Sequence, residues 1–116
     1  MYRQELGRQG EDIAANILEK KGYSLVEKNY RCVLGEIDII AIKDGYLIFI
    51  EVKTRKNLLY GLPQESITEK KKMRIRQIAS CYLKQHNKTN VNCRFDVFSI
   101  IVSADCYYID IIEDAF

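Results

Sequence analysis

The chain has a single histidine, His86, and its four cysteines, Cys32, Cys81, Cys93 and Cys106, are widely separated with no CxxC pair. No zinc-binding set can be assembled from them. Buried or idle thiols in a reducing cytosol are the expectation. Long hydrophobic runs are also missing, because Glu51 and Lys53 interrupt the strongest apolar stretch, so no membrane span is expected. Met1 to Glu11 is polar and charged, unlike a signal peptide, and a cytoplasmic location follows as an expectation. There is no repeat, low-complexity segment or linker, and only one proline, Pro63. Charge of one sign is scarce in the balance: 18 Lys and Arg stand against 16 Asp and Glu, a net charge of +2, so bulk electrostatics select no partner.

What is present is an ordinary globular composition, 47% hydrophobic and 29% charged over 116 residues. That suffices for one core and predicts a single domain over residues 1–116. The distribution of charge says more than its sum. Lys53, Arg55 and Lys56, then Lys70, Lys71, Lys72, Arg74 and Arg76, crowd the middle of the chain, while Asp105, Asp110, Glu113 and Asp114 hold the C-terminal part. A basic centre suits a polyanion, although the Lys70–Arg76 run alone reads as a solvated helix face.

The apolar spacing of Leu6, Ile13, Ala14, Ile17 and Leu18 predicts a helix from about Tyr2 to Lys21, ended by Gly22. Gly7 and Gly10 on its buried face imply close packing against a sheet. A strand near Tyr23 to Cys32 precedes two apolar runs, from Glu36 to Lys53, joined by Asp44-Gly45, the preferred dipeptide of a type I′ hairpin turn. After a loop containing Gly61 and Pro63, Ser66 and Glu69 form a capping box for a second helix. Its buried stripe is Ile75, Ile78, Ala79 and Tyr82, with Lys71 on the same face one turn earlier. Strands near Cys93 to Val102 and Tyr107 to Ile112 complete an α/β order of αβββαββ, a mixed sheet with helices on both faces.

A two-residue loop at Asp44-Gly45 pairs Lys43 with Tyr46, and the same register sets Asp38 opposite Glu51 and Glu36 opposite Lys53. Directly opposed side chains share a face, with Cβ atoms about 4.5–5.5 Å apart. One face then reads Glu36, Asp38, Ile40 and Ile42 against Leu47, Phe49, Glu51 and Lys53; the other reads Ile37, Ile39 and Ala41 against Ile48, Ile50 and Val52. Two opposed carboxylates on a buried sheet repel each other unless compensated. A divalent cation compensates them, and an all-oxygen ligand set suits Mg²⁺ or Mn²⁺. Lys53 points to the same side, where it can hold an attacking water or developing phosphorane charge, as metal-assisted phosphodiester hydrolysis requires. The competing interpretation is a salt-bridge ladder of Glu36 with Lys53 and Asp38 with an arginine.

Gly35-Glu36-Ile37-Asp38 followed by Glu51-Val52-Lys53 resembles the PD-(D/E)XK nuclease superfamily. The wider pattern resembles its YraN-like family of small bacterial proteins: Gly10-Glu11, Gly22-Tyr23, Asn29-Tyr30-Arg31, Gly61 with Lys71, Arg94-Phe95-Asp96-Val97 and Asp114-Ala115-Phe116. The resemblance spans nearly the whole chain. It implies a restriction-endonuclease-like core related to archaeal Holliday-junction resolvases, with Asp38 and Glu51 as metal ligands, Lys53 as catalytic lysine and Glu11 as an auxiliary acid. Glu36 is a further auxiliary candidate. The usual proline before the first acid is absent, since Ile37 precedes Asp38.

The expected activity is Mg²⁺- or Mn²⁺-dependent endonucleolytic cleavage of DNA, including branched or recombination-linked DNA. The alternative is a non-catalytic nucleic-acid-binding or adaptor domain on a nuclease fold. A homodimer follows from the resolvase analogy, and a protein partner that guides it remains open. Arg55, Lys56 and Lys71 are the candidate phosphate contacts, and Tyr60 a candidate base-stacking residue. Arg94 and Asp96 read as a structural ion pair, and His86 receives no role.

Overall fold

A computed structural model describes residues 2–56, 67–103 and 106–116, with side chains described from Gly7 onward. The elements are α1 (Tyr2–Lys20), β1 (Ser24–Cys32), β2 (Gly35–Lys43), β3 (Tyr46–Arg55), α2 (Glu69–Gln85), β4 (Cys93–Val102) and β5 (Tyr107–Ile112). They form one five-stranded sheet in the order β1-β2-β3-β4-β5. Only β3 and β4 run parallel; the other neighbours are antiparallel. That single parallel pair needs a crossover, and α2 supplies it. The architecture is the expected mixed α/β one and is compatible with a nuclease-like core.

Local chemistry explains the connections. Gly22, at φ +93°, closes α1 while the Tyr23 N–H reaches back to the Leu18 carbonyl at 3.0 Å, a Schellman-type ending. Asp44 and Gly45 both take positive φ, 53° and 81°, as a type I′ turn requires. Pairing follows the expected register from Lys43–Tyr46 as far as Ile39–Ile50. The start of α2 differs from expectation: Thr68 is its N-cap, with its side chain accepting from the Lys71 amide at 3.1 Å. Ser66, like Tyr60, Gly61, Pro63 and Asp105, lies outside the described residues.

Each helix covers one face. Ala14, Ala15 and Leu18 of α1 pack with Ile39, Ala41, Ile48, Ile50, Phe98 and Ile100. On the other side Ile75, Ile78, Ala79 and Tyr82 of α2 pack with Tyr30, Ile37, Ile40, Leu47 and Phe49. Burial on both faces excludes water from the whole centre of the sheet, the main source of its stability. Gly10 lets α1 approach β3, because a Cβ there would overlap the Thr54 hydroxyl. Gly7 has nothing within 4 Å of such a position, so the close contact involves one of the two expected glycines. Among the described residues no helix is long and apolar enough to cross a membrane.

Besides a register shift between Leu25 and Glu27 of β1, the sheet departs from strict alternation in β2 itself. Ile37 packs under α2 but Ile39 packs under α1, although residues two apart should share a face. The partner strand makes the same change. Lys28, paired with Ile39, reaches Asp12 of α1 at 3.0 Å, whereas Tyr30, paired with Ile37, lies in the α2 cluster. Between those rungs stand Asn29 and Asp38, and Asn29 has φ +55°. Asparagine tolerates that left-handed conformation better than most side chains. Both strands therefore change face together at the Asn29–Asp38 position. Ile37 consequently does not share the face of Ile39 and Ala41, contrary to simple alternation.

Candidate metal centre and basic cleft

The β2–β3 ladder ends at Ile39–Ile50, and Asp38 fills the gap beyond it. Its Oδ2 accepts the Val52 backbone N–H at 2.8 Å. The change of face also moves Glu36. Instead of standing opposite Lys53, it lies beside Glu11 of α1 and accepts from Arg31 Nε at 2.8 Å. The expected Glu36–Lys53 pairing is therefore replaced, because it assumed an uninterrupted pleat. Carboxylate oxygens of Glu11, Glu36 and Asp38 lie within 4.8 Å of one another, an arrangement that could hold a metal ion. Asn29 stands close enough to Glu11 to favour its charged form, so the residue that turns the strand also neighbours one acid.

β3 keeps its alternation, so Glu51 and Lys53 lie on the α2 side. Glu51 accepts from Lys71 Nζ at 3.0 Å and has Lys53 Nζ at 3.8 Å. Asp38 and Glu51 line one open cavity of about 470 Å³, whose α2 wall carries Thr68, Lys70, Lys71 and Arg74. The two acids expected to act together thus share a cleft, but the tight carboxylate cluster is Asp38 with Glu11 and Glu36.

The electrostatics follow from crowding out of water. Burial first, then the Glu51 charge, push the Asp38 carboxyl up to about 7, against the opposing Val52 hydrogen bond. Burial and then the Glu36 charge raise Glu11 as well. Burial, followed by the Lys71 ammonium beside it, holds Lys53 down at about 8. Burial also disfavours the Lys71 ammonium, but the attraction of Glu51 and further hydrogen bonds outweigh it, and Lys71 is raised. Carboxyls shifted up beside an amine shifted down form a cluster of perturbed titratable groups of the kind that gathers at functional sites.

The remaining expected residues separate. Arg55 ends β3 half-buried, and its Nε makes no hydrogen bond among the described residues. Lys56 follows it, exposed. Arg94 and Asp96 form the structural pair expected, a two-pronged contact at 2.9 Å with Asp96 fully buried and also accepting the Asp114 N–H at 2.9 Å. His86 caps α2 through the Tyr82 carbonyl. Sequence spacing missed Asn29, whose signal was a polar residue interrupting a strand. It also assigned Lys70 and Arg74 to solvent, although both line the cleft.

Together these features define an α/β domain with a carboxylate cluster where a hairpin splits, faced by the basic first turns of a helix. The chain belongs to the family described as Uncharacterised protein family UPF0102, whose pattern matches residues 10–100. A UPF0102 protein of Dictyoglomus thermophilum is 46% identical over 103 residues, covering 89% of this chain and 87% of that protein. One from Caldicellulosiruptor bescii is 42% identical over 119 residues and covers both chains completely. One from Pelotomaculum thermopropionicum is 48% identical over 99 residues, covering 85% of this chain and 82% of its own. The matched segment contains Glu11, Glu36, Asp38, Glu51, Lys53 and Lys71.

Proposed function

We propose that the protein is a metal-dependent phosphodiester hydrolase of the PD-(D/E)XK type acting on DNA. The observation that supports this most is the buried Asp38, surrounded by Glu11, Glu36 and Glu51 in a cleft whose other wall is cationic. Such a carboxylate is costly to ionise without a cation, and its neighbours supply only oxygen donors, which suit Mg²⁺ or Mn²⁺. Asp38 and Glu51, with Glu11 and Glu36 as auxiliary acids, would hold the ion. When bound, it supplies Lewis acidity and a lowered water pKa. Lys53 orients the attacking water and offsets charge that develops on the phosphoryl oxygens. Lys70, Lys71 and Arg74 hold flanking phosphates beside the N-terminus of α2, which itself favours anions.

A DNA-binding domain without catalysis is the second reading. It is favoured by the Lys71–Glu51 ion pair, which already neutralises one of the acids. Thermal melts with Mn²⁺ or Mg²⁺, together with a cleavage screen over single-stranded, duplex and branched DNA, separate the two. Metal at a hundredfold over its Kd adds about 2.7 kcal/mol of stability, a Tm rise on the order of 10 °C for a domain of this size. That rise should vanish in Asp38→Asn. A wild type that gains no stability from metal and cuts none of the three DNA forms is the non-catalytic domain.

A further inference from the structure

The two hairpin turns of the meander have opposite chemistry. Asp44-Gly45 is a usual turn dipeptide, whereas β1 and β2 are joined by Val33-Leu34. Turns at protein surfaces favour Gly, Asn, Asp, Ser and Pro. Here Val33 is completely exposed and Leu34 is 45% exposed. Both apolar side chains stand in water at a point where the fold makes no demand for them. The turn is also held firmly. Cys32 pairs with Gly35 across it, the Leu34 N–H points to Cys32 Sγ at 3.4 Å, and Gly35 takes φ +141°. A Cβ on Gly35 would press on Ile78 at 3.1 Å and lie near the Arg74 stem. The tip is therefore presented from a base seated on α2.

Its position gives it a use. Leu34 and Gly35 line the same cleft as Asp38, Glu51, Lys71 and Arg74. An apolar tip of two residues is far too small for a stable protein interface, which buries about 800 Å² per partner. It does match the space between two adjacent bases, where Leu and similar side chains insert as wedges and unstack a step. The cationic wall beside it fits the phosphates that flank such a step.

We propose that the Val33-Leu34 turn is a wedge that enters an opened base step and selects DNA in which that step is already unstacked, as at a branch point. A continuous duplex must be unstacked at a cost before the wedge enters, whereas a branch has met that cost in advance. The inference rests on the DNA reading above and adds to it the turn that selects a branched substrate.

The test compares binding of a three-way-branched oligonucleotide with that of a continuous duplex of the same length and composition. Each carries 2-aminopurine at the central step, and the full chain is used in EDTA so that nothing is cut. The wild type is expected to prefer the branch by about tenfold or more, with increased 2-aminopurine fluorescence on binding. In the double variant Val33→Ser, Leu34→Ser, the ratio of the two dissociation constants should fall to within about twofold of unity, and the fluorescence change should be lost. Val33→Ser alone, at a fully exposed position, should lower the ratio partway and keeps the test readable should the double variant fail to fold. Full preference retained in both variants, or equal binding of the two oligonucleotides by the wild type, overturns the wedge. Either result leaves the hydrolase reading to be decided by metal-dependent cleavage. A wild type that binds neither oligonucleotide also overturns the wedge, and cleavage in the presence of metal still decides the hydrolase reading.

Discussion

Asp38 Oδ2 accepts the Val52 amide at 2.8 Å, standing in for the backbone acceptor that a continued β2–β3 ladder would have provided. One carboxylate thus closes the sheet's hydrogen bonding and faces three other acids. These roles conflict in their dependence on charge, and substitutions can separate them.

The first expectation concerns stability against pH in EDTA. The Asp38 carboxyl titrates near 3.8 when unperturbed and near 7 in the fold. Between those values the folded state holds the extra proton, so stability falls as pH rises from about 4 to 7 and is level above that. Asp38→Asn keeps an acceptor for Val52 and removes the charge, so at pH 8 it should exceed the wild type by on the order of 1–3 kcal/mol. Asp38→Ala leaves the Val52 N–H unpaired and should be less stable than the Asn variant by about 1–3 kcal/mol. Urea denaturation across pH 4.5 to 8.5 measures all three. A flat wild-type profile, or equal stability of the two variants, would contradict this account.

Lys53→Ala should leave the metal-induced rise in Tm intact while lowering any hydrolysis by about a hundredfold or more, as loss of a charge-stabilising donor does. If Lys53 only neutralises Glu51, the variant instead changes metal affinity and stability without a separate loss of rate. Melts and single-turnover cleavage on the same preparation distinguish the outcomes.

Affinity for duplex DNA should fall steeply with salt, because each phosphate contact releases condensed counterions. Lys71→Ala and Arg55→Ala should each reduce the slope of log K against log salt by about one. A titration of anisotropy against salt gives the slopes directly. Unchanged slopes in both variants would remove these residues from the phosphate path.

Gly10→Ala should destabilise the fold by about 1–3 kcal/mol through overpacking against Thr54. Gly7→Ala, in open space on the same helix, should gain up to about 1 kcal/mol from helix propensity. Combining Gly10→Ala with Thr54→Ala, which removes the clashing hydroxyl, should recover part of the loss. Equal effects at the two glycines would mean that α1 does not need its close approach to β3.

Much of this fold is written locally. Asp44-Gly45 sets a turn whose φ values admit few other residues, and the register runs from it without error to Ile39–Ile50. Period and spacing likewise place Lys71 on the sheet-facing side of α2, and it reaches Glu51. The loss of the expected Glu36–Lys53 pairing was not legible, because it depends on a neighbouring strand. Asn29 turns β1 over, β2 follows across the Asn29–Asp38 position, and Glu36 leaves the face it would have held. Alternation within β2 alone carries no sign of that event. Thr68 as N-cap was missed for a different reason: Ser66 with Glu69 satisfied the capping spacing equally well on paper, and only the geometry places the helix start.

Over most of its area the sheet is a wall, with the contents of the α1 side screened from those of the α2 side by two layers of aliphatic packing. At the joint reversal of β1 and β2 the wall has a window, and Asp38 sits in its frame. Through it Glu11 on one helix and Lys71 on the other both act on the same carboxyl group. The Asp38 carboxyl is thus a point at which charges carried by both helices meet.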